Sequence, residues 1–487
     1  MKKPDTVVGT GGPAGPTAGH PAGVSEHVTS RGRAPGLGRR IAGTVLTDIG
    51  PLRAYPAYRR MWAGETVSAV GSMITTTAVP LQVYDITRSS FVVGLTGLVA
   101  LVPLVVFGMF GGAISDAVDR RRLALVTSCG LAAVSVGLFV LALVDLHTVW
   151  PLFALVAAQS ALISVDQPAR RSMMPNLVPL RELPAATALQ QIGWNTALTA
   201  GPLLAGVAVA ASGYTLAYGM DVVTFGAALY ALARLPSMPP TGGGTRADVA
   251  SVVDGLRFLR GQPVVLMTFA IDIVAMVFGM PRALFPELAR TQFDGGTQTA
   301  GLLYAAVAAG ALAGAVVGGW FGRIRRHGLA VVVAVIIWGA AIAGFGLVHN
   351  LAAGALLLAT AGAADMVSAV FRNSMLNVAT PDAMRGRLQG VFIVVVAGGP
   401  RLGDLEAGTA AVLVSPMFSV VSGGLACVAG AALLAAAVPS FVRYDSRAAV
   451  AAAESREVMA DPSERPHLPT LSDQRRVTIT EKPAVDE

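Results

Sequence analysis

Charged residues are scarce in this sequence. Only 13% of its 487 residues are Asp, Glu, Lys or Arg, which is about half the share found in an average soluble domain. Hydrophobic residues make up 54% of the chain, and the mean hydropathy is +0.62. This balance excludes an ordinary soluble domain and indicates an integral membrane protein in contact with the lipid bilayer.

Cysteine and histidine are rare, with 2 and 6 residues respectively. Cys129 and Cys427 lie in separate apolar runs, where single thiols commonly pack in the interior, so we predict neither a disulfide framework nor a metal site. The sequence has no Gly-rich loop followed by Lys and Ser or Thr, the usual sign of a bound nucleotide phosphate. We therefore expect no cofactor and no enzymatic activity.

The net charge of +7 does not indicate a nucleic acid partner. Basic residues lie mainly at the ends of apolar runs, whereas nucleic acid binding requires a basic face. The first 40 residues are rich in Gly, Pro and Arg and contain no apolar core like that of a signal peptide. We expect disordered cytosolic tails at 1–56 and 443–487.

Long apolar runs follow one another from Met61 to Val442 with short polar breaks. A transmembrane helix needs about 20 apolar residues, and runs such as 123–144 are apolar on every side, unlike the alternating strands of a membrane barrel. The predicted fold class is an all-α polytopic membrane protein with twelve transmembrane helices. We expect spans at 60–84, 91–113, 123–145, 150–169, 188–211, 215–234, 264–288, 299–321, 329–348, 351–371, 388–414 and 418–442.

The arginines are unevenly distributed between the two sets of loops. With a cytosolic N-terminus, the outer loops and span ends hold only Arg88, Arg282 and Arg290. Because cytoplasmic loops of membrane proteins are enriched in Lys and Arg, we place both termini in the cytosol. The arginines on the inner side are Arg120, Arg121, Arg122, Arg170, Arg171, Arg181, Arg234, Arg246, Arg257, Arg260, Arg323, Arg325, Arg326, Arg372, Arg385 and Arg387.

The sequence repeats itself in two halves. RSMMPNLVP (171–179) after the fourth span matches NSMLNVATP (373–381) after the tenth. GPLLAG (201–206) in the fifth span matches GPRLGD (399–404) in the eleventh. Corresponding motifs on corresponding spans are typical of transporters that move one half against the other. We therefore predict two six-helix bundles, 57–236 and 263–442, joined by a cytosolic linker at 237–262.

The second half carries charges inside its predicted spans, where each charge is costly and usually has a partner or a function. On a helix, Arg401 and Asp404 lie about 60° apart, whereas Glu406 lies about 140° from Arg401. Asp404 and Arg282 lie at similar depths in the eleventh and seventh spans, about 24 and 27 Å from the cytosolic ends. We predict that these four residues, with Asp272, form a charge network that couples protons to transport. A permanent ion pair of Arg401 and Asp404 that braces two helices is the alternative.

Polar residues also occur on spans of the first half. Glu65 early in the first span, with Gln190 and Asn195 early in the fifth, is a candidate for lining a transport cavity. Solvation of Glu65 near the inner mouth and ordinary packing of the two amides are equally compatible with the sequence.

The loop GGAISDAVDRRRLAL (111–125) resembles the cytosolic gate motif of the major facilitator superfamily. An acid at Asp116 is suited to capping a helix or pairing with arginines at an inner gate, whereas anchoring at lipid headgroups is the alternative role for the arginines. The residues that match the motif are Gly112, Asp116, Arg120 and Arg121.

The stretch TALTAGPLLAG (196–206) resembles the fifth-span motif of exporters in that superfamily, with Gly201, Pro202 and Gly206 in place. Pro202 predicts a kink, and the glycines allow a close helix contact that seals the outer half. A packing kink with no bearing on transport direction is the alternative.

Further stretches resemble the enterobactin exporter family of the major facilitator superfamily over nearly all the predicted spans, but in neither tail. They are VPLQVYDITRSSFVVGL (79–95), RALFPELA (282–289), GLLYAAVAAGALAGA (301–315) and TPDAMRGRLQGVF (380–392). The resemblance implies the major facilitator fold and proton-driven export of a small amphipathic molecule, a catecholate siderophore, from a bacterial cytoplasmic membrane. We expect the protein to act as a monomer. A multidrug antiporter with no siderophore role is the first alternative, and a non-transporting receptor or scaffold is the second.

Overall fold

The computed structural model describes residues 49–239, 257, 259–317, 324–380 and 382–449. Within its helices, the side chains of 109–117, 382–394 and 397 are not described. The described residues are almost entirely helical, and their one β-type contact is an isolated bridge between Arg326 and Asp445. The all-α fold class is thereby confirmed.

The N-terminal half contains one very long helix that bends. The predicted fifth and sixth spans lie in one segment of 51 residues, which the non-helical residues Ser212 and Gly213 divide into two helical legs. Gly213 has a φ of 73°, a conformation that glycine adopts without steric cost. The helices of this half are α1 (Gly50–Ala54), α2 (Pro56–Thr87), α3 (Ser90–Ala117), α4 (Arg120–Val144), α5 (Trp150–Leu177) and α6 (Leu183–Ala233).

The C-terminal half begins with a broken helix. A 3-10 turn at Arg282–Leu284 separates α7 (Pro263–Phe278) from α8 (Phe285–Thr291), so the span predicted over 264–288 lies within one apolar segment, Pro263–Thr291, that contains a break. Pro281 explains the break, because proline lacks an N–H and disfavours a helical conformation in the preceding residue. The remaining helices are α9 (Thr297–Val317), α10 (His327–Leu347), α11 (Leu351–Ala379), α12 (Asp382–Leu413), α13 (Pro416–Ala437) and α14 (Pro439–Val442).

Nine helical segments among the described residues are long and apolar enough to cross a membrane. One of these segments contains the bend in α6, and the one that spans Pro263–Thr291 contains the break between α7 and α8. The long helices α2 and α12 occupy the positions of the first and eleventh predicted spans. These elements agree with twelve spans, a count that stays a prediction.

Each half has its own apolar core. The core of the C-terminal half is built around the large buried side chains Phe285, Trp338 and Phe345. The N-terminal half has two clusters, one containing Leu138 and the other Met173. Between the halves, α3 packs against α12, and the first leg of α6 packs against α9.

Several expectations concern segments at the edge of the described structure. Helix α1 lies inside the range expected to be a tail, 1–56, of which 1–48 is outside the described residues. Most of the 237–262 linker and residues 450–487 of the C-terminal tail are outside them as well. Cys427 is buried as expected, but Cys129 is exposed.

Candidate functional site

A polar cluster joins the two halves at the end of the helices that the arginine pattern assigns to the outside, which we call the outer end. Asp85 on α2 forms an ion pair with Arg290 on α8 and accepts a hydrogen bond from the Tyr214 hydroxyl. The hydroxyl of Ser90 on α3 donates to Glu287 on α8. We call these five residues the outer latch. Since the latch joins α2 and α3 to α8, its contacts have to break before the halves can separate at this end.

Close backbone contacts accompany the latch. A Cβ added to Gly408 on α12 would lie 2.5 Å from the carbonyl oxygen of Ser90, and one added to Gly97 on α3 would lie 3.0 Å from the carbonyl oxygen of Arg401. Small residues permit such an approach between membrane helices. Every hydrogen bond and ion pair that we identify between the described parts of the two halves lies at this outer end.

The predicted exporter motif lies at the same interface. A Cβ on Gly206 would lie 2.8 Å from the carbonyl oxygen of Thr297 on α9, and the Thr297 hydroxyl donates to the Gly206 carbonyl at 3.3 Å. Pro202 is buried in α6, and Gly201 packs against α2 within its own half. The motif thus places one glycine inside the first half and the other between the halves.

The break between α7 and α8 exposes backbone groups, which side chains from three other helices satisfy. Asp404 Oδ1 on α12 accepts a hydrogen bond from the backbone N–H of Ala283 at 3.1 Å. The Tyr304 hydroxyl on α9 donates to the Arg282 carbonyl at 2.9 Å, and Trp338 Nε1 on α10 donates to the Gly279 carbonyl at 2.9 Å. Irregular backbone at membrane depth requires such partners, and broken helices form binding sites in many transporters.

The predicted meeting of the seventh and eleventh spans occurs at this break. Arg282 is exposed, and its guanidinium acts electrostatically on Asp404 of α12. Arg401 also acts on Asp404 and is partly buried. Glu406 is partly buried and makes no hydrogen bond or ion pair with another described residue. The structure therefore brings Arg282, Arg401 and Asp404 together and leaves Glu406 apart.

Asp272 has a partner that the sequence analysis did not consider. It is buried in α7 and forms an ion pair with Arg372 on α11. The other terminal nitrogen of Arg372 lies 3.8 Å from Asp365 Oδ1. We call Asp272, Asp365 and Arg372 the C-half cluster. Arg372 was assigned to an inner loop, but it lies within α11 as part of this buried cluster.

The N-terminal half contains a cluster with the same composition. Arg170 on α5 forms ion pairs with Asp166 on its own helix and with Glu65 on α2, the latter at 3.6 Å. Gln190 Nε2 on α6 donates to Glu65 at 3.4 Å. We call Glu65, Asp166 and Arg170 the N-half cluster. Glu65 is thus partly buried and in contact with Arg170 and Gln190, and a role of these side chains in lining a transport cavity stays a prediction.

Asn195 does not join that cluster. Its side chain carbonyl accepts a hydrogen bond from Gln191 at 3.2 Å on the same helix. Trp194 beside it is 41% exposed. Asn195 was predicted to line a cavity together with Glu65 and Gln190, but of these three residues it is Glu65 and Gln190 that are in contact.

The gate arginines bind helix ends within their own half. Arg121 donates to the carbonyls of Leu232 and Ala233, at 3.2 and 2.6 Å, where α6 ends. Arg120 donates to the Ser172 carbonyl at 3.4 Å. Cations at a helix C-terminus are favourable because they interact with its partial negative charge. Gly112 and Asp116 belong to the stretch 109–117, whose side chains lie outside the described structure.

Asp119 and Asp85 are polar residues whose contacts the sequence analysis missed. Asp119 caps α4 by accepting from the Arg122 N–H at 3.0 Å, and it also accepts from the Met238 N–H at 3.0 Å. Its position directly before a helix is a usual sign of a cap. Asp85 and its latch partner Arg290 are far apart in sequence, so no local signal linked them.

Arg170 and Arg372 had a usable sequence signal. Each stands immediately before one copy of the repeated segment, at 171–179 and 373–381. Because Arg170 and Arg372 occupy equivalent positions in the two halves, they are expected to have the same structural role. Arginines that only anchor a span at the lipid headgroups need not occupy equivalent positions.

Comparisons with known proteins agree with the fold. A major facilitator family model described as Transmembrane secretion effector matches residues 46–470. The enterobactin exporter EntS of Citrobacter koseri is 27% identical over 385 residues, covering 79% of this chain and 92% of the exporter. EntS of Shigella boydii serotype 4 is 26% identical over 381 residues, covering 78% of this chain and 91% of the exporter.

Solved transporter structures show the same fold at low sequence identity. The crystal structure of a peptide transporter POT superposes with a TM-score of 0.65 at 12% identity, covering 83% of this chain and 98% of that chain. A D-xylose-proton symporter superposes with a TM-score of 0.62 at 14% identity, covering 78% and 97%. These structures confirm the major facilitator fold, and the family match covers most of the sequence. This chain belongs to the transmembrane secretion effector family of the major facilitator superfamily and is a membrane efflux transporter.

Proposed function

We propose that this transporter exports a small amphipathic molecule from the cytoplasm by alternating access, in exchange for protons. A siderophore is the first candidate substrate, because the curated relatives are named as enterobactin exporters. The protein acts as a monomer in the bacterial cytoplasmic membrane. Both termini lie in the cytosol, an orientation that the distribution of arginines supports.

The location of the contacts between the halves carries the proposal for alternating access. The outer latch and the glycine contacts close one end of the interface, where short polar and backbone contacts join the two bundles. Two rigid bundles joined at one end are suited to rocking about a central site. In the outward-open state, Arg290 leaves Asp85 and water reaches both groups.

Proton exchange is assigned to the intramembrane charges of α7 and α12. Asp272, Arg282, Arg401, Asp404 and Glu406 lie on these two helices or at the break between α7 and α8. Protonation of a carboxylate weakens its hold on the neighbouring arginine, and such a change favours one of two conformations when the contacts differ between them. Asp404 is placed for this role because it holds the broken backbone of the seventh span.

The transport activity is tested with purified full-length protein in liposomes. The probes are enterobactin and, separately, the cationic dye ethidium, each measured with and without an imposed proton gradient across the membrane. Gradient-dependent accumulation of enterobactin supports the siderophore function, and accumulation of ethidium alone supports the multidrug alternative. Gradient-independent behaviour with both probes contradicts the proposal.

The alternating-access part is tested by opening the latch. Ala300 is 1% exposed at the outer end, so a cysteine at this position (A300C), with Cys129 and Cys427 replaced by Ala, reports access from outside. Asp85→Asn removes the charge that holds Arg290 and is expected to speed labelling of A300C by a membrane-impermeant maleimide. Arg88→Gln is the matched control. This substitution also removes one charge beside Asp85, but the Arg88 side chain is 60% exposed and its ion pair with Asp85 is long, at 3.9 Å. Equal labelling rates in both variants contradict the latch.

A further inference from the structure

Six charged side chains of the C-terminal half form a row in which positive and negative charges alternate. Each side chain interacts with the next one electrostatically or by an ion pair. The row begins on α12, passes through the break between α7 and α8 to α11, and ends on α7. In order, its members are Arg401, Asp404, Arg282, Asp365, Arg372 and Asp272. Asp404 and Asp365 each lie between two arginines contributed by different elements.

The C-half cluster has buried polar atoms that make no hydrogen bond with another described residue. Asp365 Oδ1, Arg372 Nε and the hydroxyl of Ser368 are buried and have no hydrogen-bond partner. Ser368 is 0% exposed, and on the α11 helix it lies within about 60° of both Asp365 and Arg372. Buried polar groups are normally hydrogen-bonded, so we infer that these atoms are available to a small polar ligand.

A small cavity adjoins Asp365. Its walls include Met280 and Pro281 from the break, Phe285 from α8 and Trp338 from α10. It has room for about one water molecule. The cavity is otherwise apolar, so Asp365 is the group that a water or a hydronium ion there would meet.

We propose that Asp365, with Arg372 and Ser368, forms the binding site for the transported proton, and that Arg282 and Asp404 connect this site to the outer half of the network. This inference rests on the proposed function and deepens it by locating the proton. A proton that enters from water binds a carboxylate oxygen of Asp365 and makes it neutral. Arg372 then keeps Asp272 as its only anionic partner, and the return of the proton to water restores the pair with Asp365.

The groups that face Asp365 explain how the two states differ. Arg372 on its own helix and Arg282 from the break are the cations that stabilise its anionic form. Asp272 on α7 competes for Arg372, and Asp404 on α12 competes for Arg282. Helix α9 adds the Tyr304 hydroxyl near Arg282, and α10 adds the Trp338 indole. A shift of α12 relative to the break changes how strongly Arg282 interacts with Asp404. It therefore also changes how strongly Arg282 stabilises the anionic form of Asp365.

The first test needs no substrate. In the purified full-length protein, the component of tryptophan fluorescence that disappears in Trp338→Phe is followed as a function of pH. We expect this component to titrate in the wild type, to lose its pH dependence in Asp365→Asn, and to titrate with a shifted midpoint in Asp365→Glu. A wild-type component without pH dependence, or one that Asp365→Asn leaves unchanged, overturns the proposal.

The second test separates proton coupling from substrate binding. Liposomes are loaded with enterobactin, and exchange of labelled enterobactin without a gradient is compared with accumulation driven by a proton gradient. Asp365→Asn is expected to retain exchange and to lose gradient-driven accumulation, whereas Asp166→Asn in the N-half cluster is expected to change both rates by the same factor. Gradient-driven accumulation by Asp365→Asn at the wild-type level overturns the proposal. If the wild type transports neither probe, the proposed function fails, and the fluorescence titration still decides whether Asp365 binds a proton.

Discussion

Each half of the transporter holds one arginine between two carboxylates, but the surroundings of the two clusters differ. In the N-half cluster, Arg170 uses Nε for Asp166, Nη1 for Glu65 and Nη2 for the Ser128 hydroxyl at 2.7 Å. The second oxygen of Asp166 accepts from Thr127 at 2.5 Å. Because every charged group of this cluster has a partner, we expect the cluster to hold α2 and α5 in a fixed arrangement.

The C-half cluster lacks the hydroxyl groups that complete its counterpart. Thr127 and Ser128 belong to α4, whereas α10 at the equivalent position in the second half contains no Ser or Thr between His327 and Leu347. Arginine has five N–H donors in a fixed plane, and Arg372 has fewer acceptors around it than Arg170. A repeated fold has thus produced one satisfied cluster and one that still has sites for a ligand.

Removing the central arginine tests this comparison with the largest expected effect. Arg170→Met leaves Glu65 and Asp166 buried without a counter-charge, and breaking a buried pair in this way costs about 3–5 kcal/mol of stability. Arg372→Met is expected to cost less, because the C-half cluster makes fewer hydrogen bonds that can be lost. Thermal unfolding of the purified variants, followed by size-exclusion fluorescence, measures both. Equal losses of stability would show that the two clusters do not differ in the way described.

A second comparison is between Asp404 and the buried Asp221 of the first half, whose replacements are expected to affect stability and proton coupling differently. Asp404→Asn keeps an oxygen for the Ala283 N–H, so we expect the fold to persist while gradient-driven transport falls. Asp404→Ala leaves that N–H without a partner and is expected to cost about 1–3 kcal/mol. Asp221 accepts hydrogen bonds from Thr75 and Ser135 at 2.7 Å each, so Asp221→Asn is expected to lower stability without changing the coupling of transport to protons. Paired measurements of unfolding temperature and gradient-driven transport check these expectations, and loss of coupling in Asp221→Asn contradicts them.

Only part of the site could be predicted from the sequence. The meeting of Arg282 and Asp404 was predicted because helical rise places both residues at similar depths and the resemblance to the major facilitator superfamily implies that their spans are neighbours. The pairing of Asp272 with Arg372 did not follow, because Arg372 sits near the end of a predicted span and its charge was attributed to topology. An arginine near a span end has the same sequence signature whether it faces lipid headgroups or a buried carboxylate.

Glu406 provides a comparison with Asp404 within the C-terminal half. It has no partner among the described residues, unlike Asp404 on the same helix. Glu406→Gln is therefore expected to change the unfolding free energy by no more than about 0.5 kcal/mol and to lower gradient-driven transport. The unfolding temperature and transport rate are measured in the same preparation. Unchanged transport, or a loss of transport that follows a loss of protein, excludes Glu406 from the coupling network.

The fold was more predictable than the site, because helix length and hydrophobicity are local properties. The bend at Gly213 coincides with the boundary expected between the fifth and sixth spans. The break at Pro281 was missed, although a proline within an apolar run is a sign of a discontinuous helix in transporters. Hydrophobicity alone does not separate such a break from a continuous span, because the backbone groups freed there are satisfied by Asp404, Tyr304 and Trp338 from distant segments.

Completing the C-half cluster is the change with the smallest expected effect and the most specific outcome. The match between the loops 111–121 and 318–328 aligns Ser128 with Val335, which is 0% exposed in α10. Val335→Thr adds a hydroxyl at nearly constant volume, and as an acceptor for Arg372 it is expected to stabilise the fold by about 0.5–1.5 kcal/mol. The same hydrogen bond holds Arg372 in place and is expected to slow gradient-driven transport, while Val335→Ala serves as the control for altered packing. Higher stability together with slower transport supports the comparison, whereas a loss of stability shows that the added hydroxyl finds no partner and that the cluster is already complete.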